Sequence, residues 1–181
     1  MSPSLIFLIG YRGSGKTTVA RLLAWKLGWK WVDADDVLEA RFGKDIRTIF
    51  AEEGVEGFRA KESVVLTELC NLANHVVATG GGVIMRPENR ELMRQVGFVV
   101  WLTADPRTLW ERLQADTSTA QRRPDLTCGG LAEVEQVLAI RQPLYAACAH
   151  LTLDTVGREP LELVNEILIG HDGENQGEPG A

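Results

Sequence analysis

Residues suited to bind a polyphosphate stand near the start of the chain, in the run Gly10–Thr17. This run, GYRGSGKT, matches the pattern G-x-x-x-x-G-K-[ST], whose glycines let backbone N–H groups turn inward around phosphate oxygens. Lys16 is expected to reach the β- and γ-phosphates, and the Thr17 hydroxyl is expected to ligate Mg²⁺. The apolar run Leu5–Ile9 and the helical spacing of Val19–Leu27 favour this interpretation over a glycine turn that only joins a strand to a helix. The sequence therefore predicts a nucleoside triphosphate site.

A pair of carboxylates follows the second candidate strand, in the run Asp33-Ala34-Asp35. Ligands bind at the carboxyl ends of strands in open α/β sheets, which is also where the phosphate loop would lie. If the strand continued through both residues, alternation would put the two carboxylates on one side. One could then hold Mg²⁺ through water, and the other could accept a hydroxyl proton from the phosphoryl acceptor. Spacing alone leaves open that Asp33, Asp35 and Asp36 only cap a helix starting near Val37.

Two further features could build an acceptor site. Arg59 and Glu62 are three residues apart on a predicted helix, so Glu62 can hold a guanidinium that grips a carboxylate. Phe50 and Phe58 could line a pocket for an apolar ring. In the alternative, which spacing alone favours, Arg59 and Glu62 form a surface ion pair and the two aromatic residues belong to the core below it. The run Gly80–Gly82 directly follows a strand and would allow close backbone approach to a ligand, with a flexible turn as the alternative.

The elements that must position these residues alternate between strands and helices, which is typical of βαβ units and a mostly parallel sheet with helices on both faces. The predicted strands are Leu5–Ile9, Lys30–Val32, Val76–Thr79, Phe98–Leu102 and Leu151–Leu153. The predicted helices are Val19–Leu27, Ile46–Ala51, Val55–Asn74, one opening at Asp105-Pro106, and Leu131–Ala149. We expect Pro143 to kink or restart the last of these.

Composition places the chain among ordinary globular proteins, with 181 residues of which 45% are apolar and 24% charged. The net charge of −6 argues against a nucleic-acid binder, because phosphate backbones demand clustered Lys and Arg. Cys70, Cys128 and Cys148 lack metal-ligand spacing, which favours reduced thiols of a cytoplasmic protein. No apolar run approaches the roughly 20 residues of a membrane span, and no signal peptide is expected. We expect a monomer with one domain over residues 1–170 and a disordered tail over 171–181.

These motifs, taken in order, resemble the shikimate kinase family, which belongs to the nucleoside-monophosphate-kinase-like group of phosphate-loop proteins. The resemblance covers roughly residues 4 to 168. The corresponding motifs are Gly10–Thr17, Asp33-Ala34-Asp35, Phe58-Arg59-x-x-Glu62, Gly80–Gly82, Arg123-Pro124, and Arg141 before Pro143-Leu144-Tyr145. Leu153-Asp154-Thr155 resembles the family's adenine-side loop, and Arg112 falls where a guanidinium lies against the adenine.

The resemblance implies an α/β fold of three layers, with a central five-stranded parallel sheet of order 2-3-1-4-5. It also implies a substrate-binding region over about 33–62 and a mobile lid over about 114–130. The implied reaction is phosphorylation of the 3-hydroxyl of shikimate by ATP, with Mg²⁺, in the pathway to chorismate and the aromatic amino acids.

The same resemblance implies a role for each matching residue. The implied catalytic residues are Asp35, Lys16 and Arg123. The implied nucleotide contacts are Gly13, Ser14, Gly15, Lys16, Thr17, Thr18, Arg112, Arg123 and Asp154. The implied shikimate contacts are Asp35, Arg59, Gly81, Gly82 and Arg141, and the implied Mg²⁺ ligands are Thr17 and, through water, Asp33.

Other functions would require other residues. Nucleoside monophosphate kinases would need several arginines for the acceptor phosphates, and gluconate kinases a less compact acceptor site. A GTP-dependent switch would need Asn-Lys-x-Asp, which the sequence lacks, and the loose D-x-x-G at Asp154–Gly157 falls too late in the chain. The sequence departs from the family pattern where Asp125 intervenes before Leu126 and where Arg122 precedes Arg123.

Overall fold

A computed structural model describes residues 4–116 and 129–176 of the chain. The strands are β1 (Leu5–Ile9), β2 (Lys30–Asp33), β3 (His75–Ala78), β4 (Phe98–Thr103) and β5 (Leu151–Asp154). The helices are α1 (Lys16–Leu27), α2 (Ala34–Phe42), α3 (Ile46–Leu69), α4 (Pro87–Val96), α5 (Pro106–Ala115), α6 (Gly130–Cys148) and α7 (Pro160–Gln176), with a 3₁₀ turn over Val83–Met85.

The five strands form one parallel sheet in the order β2-β3-β1-β4-β5, as expected from the resemblance. The central strand β1 pairs with β3 on one side and with β4 on the other. Thr79, directly after β3, donates both its N–H and its hydroxyl to the carbonyl of Leu8, at 3.1 and 2.9 Å. The carboxyl ends of β1 and β3 are therefore fastened together.

Alternate residues of β1 enter two separate apolar cores. Leu5, Phe7 and Ile9 pack into a cluster that includes side chains of α3, α4 and α6. Ile6 and Leu8 pack into a cluster with side chains of α1 and α7 on the opposite face. Complete burial of β1 on both faces explains why it reads as an unbroken apolar run, since a central parallel strand has no solvent side.

The predicted helical pair 46–51 and 55–74 forms one segment interrupted at Gly54, whose φ of 69° and ψ of −171° are not helical. The second part ends at Leu69 rather than at Asn74, which has a left-handed φ of 56°. The structure keeps α6 as one helix across Pro143, so the expected restart there does not occur.

The expected tail also differs, because α7 continues to Gln176 and His171 is buried. The His171 ring packs edge-on against Phe98 and Trp29, with centroids 5.6 and 6.0 Å away. These aromatic contacts explain the order of a stretch that is polar in sequence. Predictions on residues 117–128, including Arg122, Arg123 and Asp125, and on residues 177–181 lie outside the described residues. Within the described parts of the chain, no helix combines the length and apolarity needed to cross a membrane.

Candidate functional site

The phosphate loop connects β1 to α1 and is folded as its sequence predicts. Gly15 caps the first turn of α1 with a left-handed φ of 91°, a conformation that a side chain at this position would strain. The Lys16 ammonium donates to the carbonyls of Gly10 and Tyr11, each at 2.9 Å. Backbone N–H groups and the positive end of α1 therefore meet a fixed ammonium at one point, which is the arrangement that binds phosphates.

A cleft of about 470 Å³ opens over this loop. It gathers residues from the phosphate loop, from the start of α2, from the end of β3 and from α5, with cationic and acidic groups facing one another. The lining residues are Arg12, Gly13, Gly15, Lys16, Thr17, Thr18, Asp33, Asp35, Asp36, Thr79, Gly81, Arg112 and Asp116. Volume and composition suit a polar ligand of nucleotide size.

Two oxygen-bearing side chains that line the cleft, Thr17 and Asp33, are joined by a hydrogen bond. The Thr17 hydroxyl donates to Oδ2 of Asp33 at 3.0 Å. Burial, and then the negative charge of Asp35, raises the pKa of Asp33 above its ordinary value. A hydroxyl and one carboxylate, completed by phosphate oxygens and water, are a typical protein contribution to a Mg²⁺ site. Among the described residues, no group of three or more His, Cys, Asp or Glu side chains is placed so that it could hold a metal ion.

Asp33 and Asp35 both line the cleft, but they do not alternate along one strand. Strand β2 ends at Asp33, and Oδ1 of Asp33 caps α2 by accepting from the N–H of Asp35 at 3.0 Å. The helix-capping alternative is thus confirmed for Asp33, which also lines the cleft; its role as a ligand stays a prediction. Asp35 lies in the first turn of α2 and lines the same cleft.

The glycine run after β3 leads into the 3₁₀ turn, and side chains of two helices donate hydrogen bonds to backbone carbonyls of this segment. Asn89 donates to the carbonyl of Val83 at 3.0 Å, and Arg90 donates to the carbonyl of Ile84 at 2.6 Å. The hydroxyl of Tyr145 donates to the carbonyl of Gly81. The backbone of this segment is therefore fixed from α4 and from α6.

Arg59 and Glu62 form a buried pair, so the surface ion pair favoured by spacing alone is wrong. Their side chains are 7% and 5% exposed, and Nη1 of Arg59 donates to Oε2 of Glu62 at 2.5 Å. The guanidinium lies against Gly82, because a Cβ added there would stand 2.1 Å from Nη2. Phe58 is buried and stacks on Phe50 with ring centroids 4.4 Å apart.

Arg141 of α6 brings a second buried guanidinium to the same glycines. Its Nη1 donates to the carbonyl of Gly81 at 3.2 Å. Burial lowers the pKa of Arg141; the nearby Tyr145 opposes this shift, and the positive charge of Arg59 adds to it. Two buried guanidiniums therefore flank Gly81 and Gly82, and Gly81 lines the cleft. Buried positive charge favours an anionic ligand.

Arg112 of α5 joins the phosphate loop to the segment after β5. Its guanidinium donates to the carbonyl of Gly13 at 3.3 Å and to the hydroxyl and carbonyl of Thr155 at 2.8 and 3.0 Å. Asp154 does not line the cleft; its Oδ1 accepts from the N–H of Val156 at 2.9 Å and shapes the turn. Arg112 and the segment after β5, which the resemblance predicts on the adenine side, are therefore connected through Thr155.

Comparison with known proteins gives this site a family. A family model described as shikimate kinase matches residues 12–170. The chain belongs to the shikimate kinase family. It is 46% identical over 169 residues to a shikimate kinase of Rhodopirellula baltica, covering 93% of this chain and 90% of the relative. A shikimate kinase of Symbiobacterium thermophilum is 44% identical over 164 residues, with 90% and 93% covered.

Solved structures agree with the sequence relatives. The shikimate kinase of Acinetobacter baumannii in complex with shikimate superposes with a TM-score of 0.86 at 38% identity, covering 97% of this chain and 96% of that one. The α/β fold with sheet order 2-3-1-4-5 is thus the shikimate kinase fold.

The motifs of this shikimate kinase converge on one edge of the sheet, with the exception of the lid, whose Arg123 lies outside the described residues. Sequence reasoning did not single out three residues that line the cleft, Arg12, Thr79 and Asp116, or three that contact lining residues, Tyr11, Glu133 and Tyr145. Tyr11 and Arg12 occupy the variable positions of the phosphate-loop pattern, where the pattern carries no information. Tyr145 was visible only as part of the segment after Arg141.

Proposed function

We propose that this chain transfers the γ-phosphoryl group of ATP to the 3-hydroxyl of shikimate, which gives shikimate 3-phosphate and ADP. The observation that carries the proposal is the pair of buried guanidiniums, Arg59 and Arg141, beside Gly81 and Gly82. They suit one carboxylate on a compact ring and lie at the same sheet edge as Lys16. Family membership supports the same acceptor.

In this proposal the acceptor half of the site orients shikimate. Arg59 and Arg141 bind the carboxylate, and the backbone of Gly81 and Gly82 borders the ring. Asp35 lines both the main cleft and a small cavity shared with Glu62, so its carboxylate faces the acceptor side. It accepts a hydrogen bond from the 3-hydroxyl and receives its proton as the reaction proceeds.

The donor half supplies charge stabilisation. The hydroxyl oxygen forms a bond to the γ-phosphorus while the bond from that phosphorus to the β,γ-bridging oxygen breaks, and the electron pair leaves with ADP. Lys16 and the N–H groups of the loop neutralise the charge that develops on the phosphoryl oxygens. Arg112 holds the adenine side through Gly13 and Thr155. Asp154 contributes through the turn that presents Thr155.

The proposal includes Mg²⁺ held by Thr17 and, through water, by Asp33. When bound, the ion would supply positive charge that offsets the negative charge of the phosphates. The chain's own contribution is the hydroxyl–carboxylate pair, which is already oriented by the cap of α2. We propose Arg123 of the lid as a further cation for the transferred group.

A panel assay tests the proposed function. Purified protein is mixed with Mg-ATP and, in turn, with shikimate, gluconate and nucleoside monophosphates, and ADP release is followed. We expect ADP release with shikimate. ADP release with gluconate or a nucleoside monophosphate, and none with shikimate, would show that shikimate is not the acceptor.

A residue test addresses the role of Asp35. Asp35→Asn should abolish turnover and leave ATP affinity within about twofold, because the amide keeps the shape but cannot take the proton. Glu39→Gln, which changes a half-buried carboxylate of α2 that is not among the residues lining the cleft, is the matched control. Full activity in Asp35→Asn would remove this residue from the mechanism.

Three expectations from the sequence stay predictions. These are a single kinase domain over residues 1–170, a monomer, and a cytoplasmic location. Sedimentation velocity of the purified chain tests the second directly, and a concentration-dependent dimer would contradict it.

A further inference from the structure

Arg12, an arginine of the phosphate loop, is not among the residues that carry the proposed reaction. Arg12 occupies a variable position of the loop, yet it lines the cleft and only 15% of its side chain is exposed. Its Nη2 lies 3.3 Å from Oε1 of Glu133, whose side chain is 2% exposed. Because a solvated surface arginine needs no buried partner, this pairing indicates that the guanidinium is held in a fixed place.

Arg12 lies where the donor half of the cleft meets the acceptor half. Its backbone nitrogen is 3.6 Å from the point where a Cβ on Gly81 would stand, and Nη1 of Arg141 is 3.7 Å from the same point. Both guanidiniums also approach the ring of Tyr11, with Cζ atoms 5.7 and 6.0 Å from its centroid. The backbone of Arg12 therefore borders Gly81, both residues line the cleft, and the guanidinium of Arg12 shares the Tyr11 ring with that of Arg141.

Glu133 is itself fixed by the first turn of α6. Its Oε2 accepts from the N–H of Gly129 at 3.1 Å, while Oε1 faces Arg12. A carboxylate in the first turn of a helix is also stabilised by the helix dipole. Within the described part of the chain, Arg12 hydrogen-bonds Glu133 through one nitrogen. A guanidinium carries five N–H donors, so it retains donors for a second anion.

We propose that Arg12 binds the transferred phosphoryl group on the acceptor side of its path, both during transfer and in the phosphorylated product, and that Glu133 is its positioning residue. This proposal rests on the proposed function. The assignment to phosphate follows from position, since Arg12 belongs to the phosphate loop while Arg59 and Arg141 serve the carboxylate. Arg12 donates hydrogen bonds and exchanges no proton, so the bond changes of the transfer are unaltered.

Product binding separates this role from a structural one. Titration calorimetry would measure the affinity of Arg12→Met for shikimate 3-phosphate and for shikimate. We expect the affinity for shikimate 3-phosphate to fall about tenfold or more and that for shikimate to stay within about twofold. The kcat should fall by about 10²-fold, as for loss of one preorganised donor.

Glu133→Gln is the second variant, because it keeps the side-chain size and an acceptor for the N–H of Gly129. We expect the same selective loss of affinity for shikimate 3-phosphate, reduced to about threefold. Arg107→Met, which removes an arginine that is 82% exposed on α5, is the matched control and should change neither affinity.

Two results would overturn the proposal. Equal losses for both ligands in Arg12→Met and Glu133→Gln would indicate a structural brace, and unchanged affinity for shikimate 3-phosphate would show that Arg12 does not meet the phosphate. A failure of the proposed function would look different from these two results, because the wild-type protein would then bind neither shikimate nor shikimate 3-phosphate. That result would overturn both the proposed function and the role of Arg12.

Discussion

Replacing Gly82 by alanine should weaken acceptor binding while the protein stays folded. The added Cβ would lie 2.1 Å from Nη2 and 2.4 Å from Cζ and Nη1 of Arg59. Since carbon contacts are comfortable at about 3.5 Å or more, the guanidinium must retreat by more than about 1 Å. The backbone at Gly82, with φ −111° and ψ 7°, does not require glycine, so this contact is the whole perturbation.

The size of the effect follows from how Arg59 is held. The guanidinium is buried and bonded to Glu62, so it has no second position of equal quality within the core. Displacement removes one charge-assisted hydrogen bond to the carboxylate of the acceptor, which is worth about 1.5–3 kcal/mol. We therefore expect the Kd for shikimate to rise about 10- to 150-fold.

Calorimetric titration with shikimate and with ATP measures this effect. The Kd for ATP should stay within about twofold, because the phosphate loop does not touch Arg59 in the described contacts. Gly173→Ala is the matched control, since an added Cβ there meets nothing within 4 Å. In an Arg59→Met background, Gly82→Ala should add little, because the two changes act on one contact. Unchanged shikimate affinity in the single variant, or full additivity in the double variant, would refute the reasoning.

Three further predictions follow from other contacts. Arg112→Met should raise the KM for ATP roughly tenfold and spare that for shikimate, because the side chain joins the phosphate loop to Thr155; steady-state kinetics with each substrate varied decides this. Burial raises the pKa of Cys70 and of Cys148 to about 11, so at pH 8 both thiols should alkylate about 100-fold more slowly than in the unfolded chain, as measured by peptide mass mapping; equal rates would contradict this. Hydrogen bonds from Thr108 lower the pKa of Asp105, so its stabilising effect is present above about pH 4 and disappears as pH falls through the folded value. The melting temperature of Asp105→Asn should accordingly lie below that of wild type at pH 7 and approach it near pH 2; a constant difference would argue against the cap.

The sequence predicted the conformation of the phosphate loop well because that conformation is determined locally. Glycines, Lys16 and Thr17 follow one another in a loop whose pattern reports its own conformation. The run Leu5–Ile9 was located to the residue, since full burial of β1 leaves no ambiguity of face. For Asp33 and Asp35 the sequence left a strand continuation and a helix cap open, because both leave the same spacing. The structure shows the cap, at the carboxyl end of β2.

The acceptor half depends on contacts that spacing does not encode. Gly82, which stands 23 positions after Arg59, packs against the buried guanidinium, and the spacing of Arg59 and Glu62 carries no sign of this contact. Arg12 and Glu133 are separated by 121 positions, so only the folded chain brings them together. Pro143 was expected to interrupt its helix, but the surrounding contacts of α6 keep the helix continuous.

The fastening of β3 to β1 has a consequence for how activity is lost. The loop proposed to hold ATP follows β1, and the glycines proposed to border the acceptor follow β3. The spacing of the two reactants would therefore derive from neighbouring strands about 4.8 Å apart. At the carboxyl ends of the two strands, Thr79 donates two hydrogen bonds to the carbonyl of Leu8 and so fixes this spacing. A cooperative sheet is either intact or unfolded, so partial heat inactivation should lower the titre of active sites while each surviving molecule keeps its full rate constant.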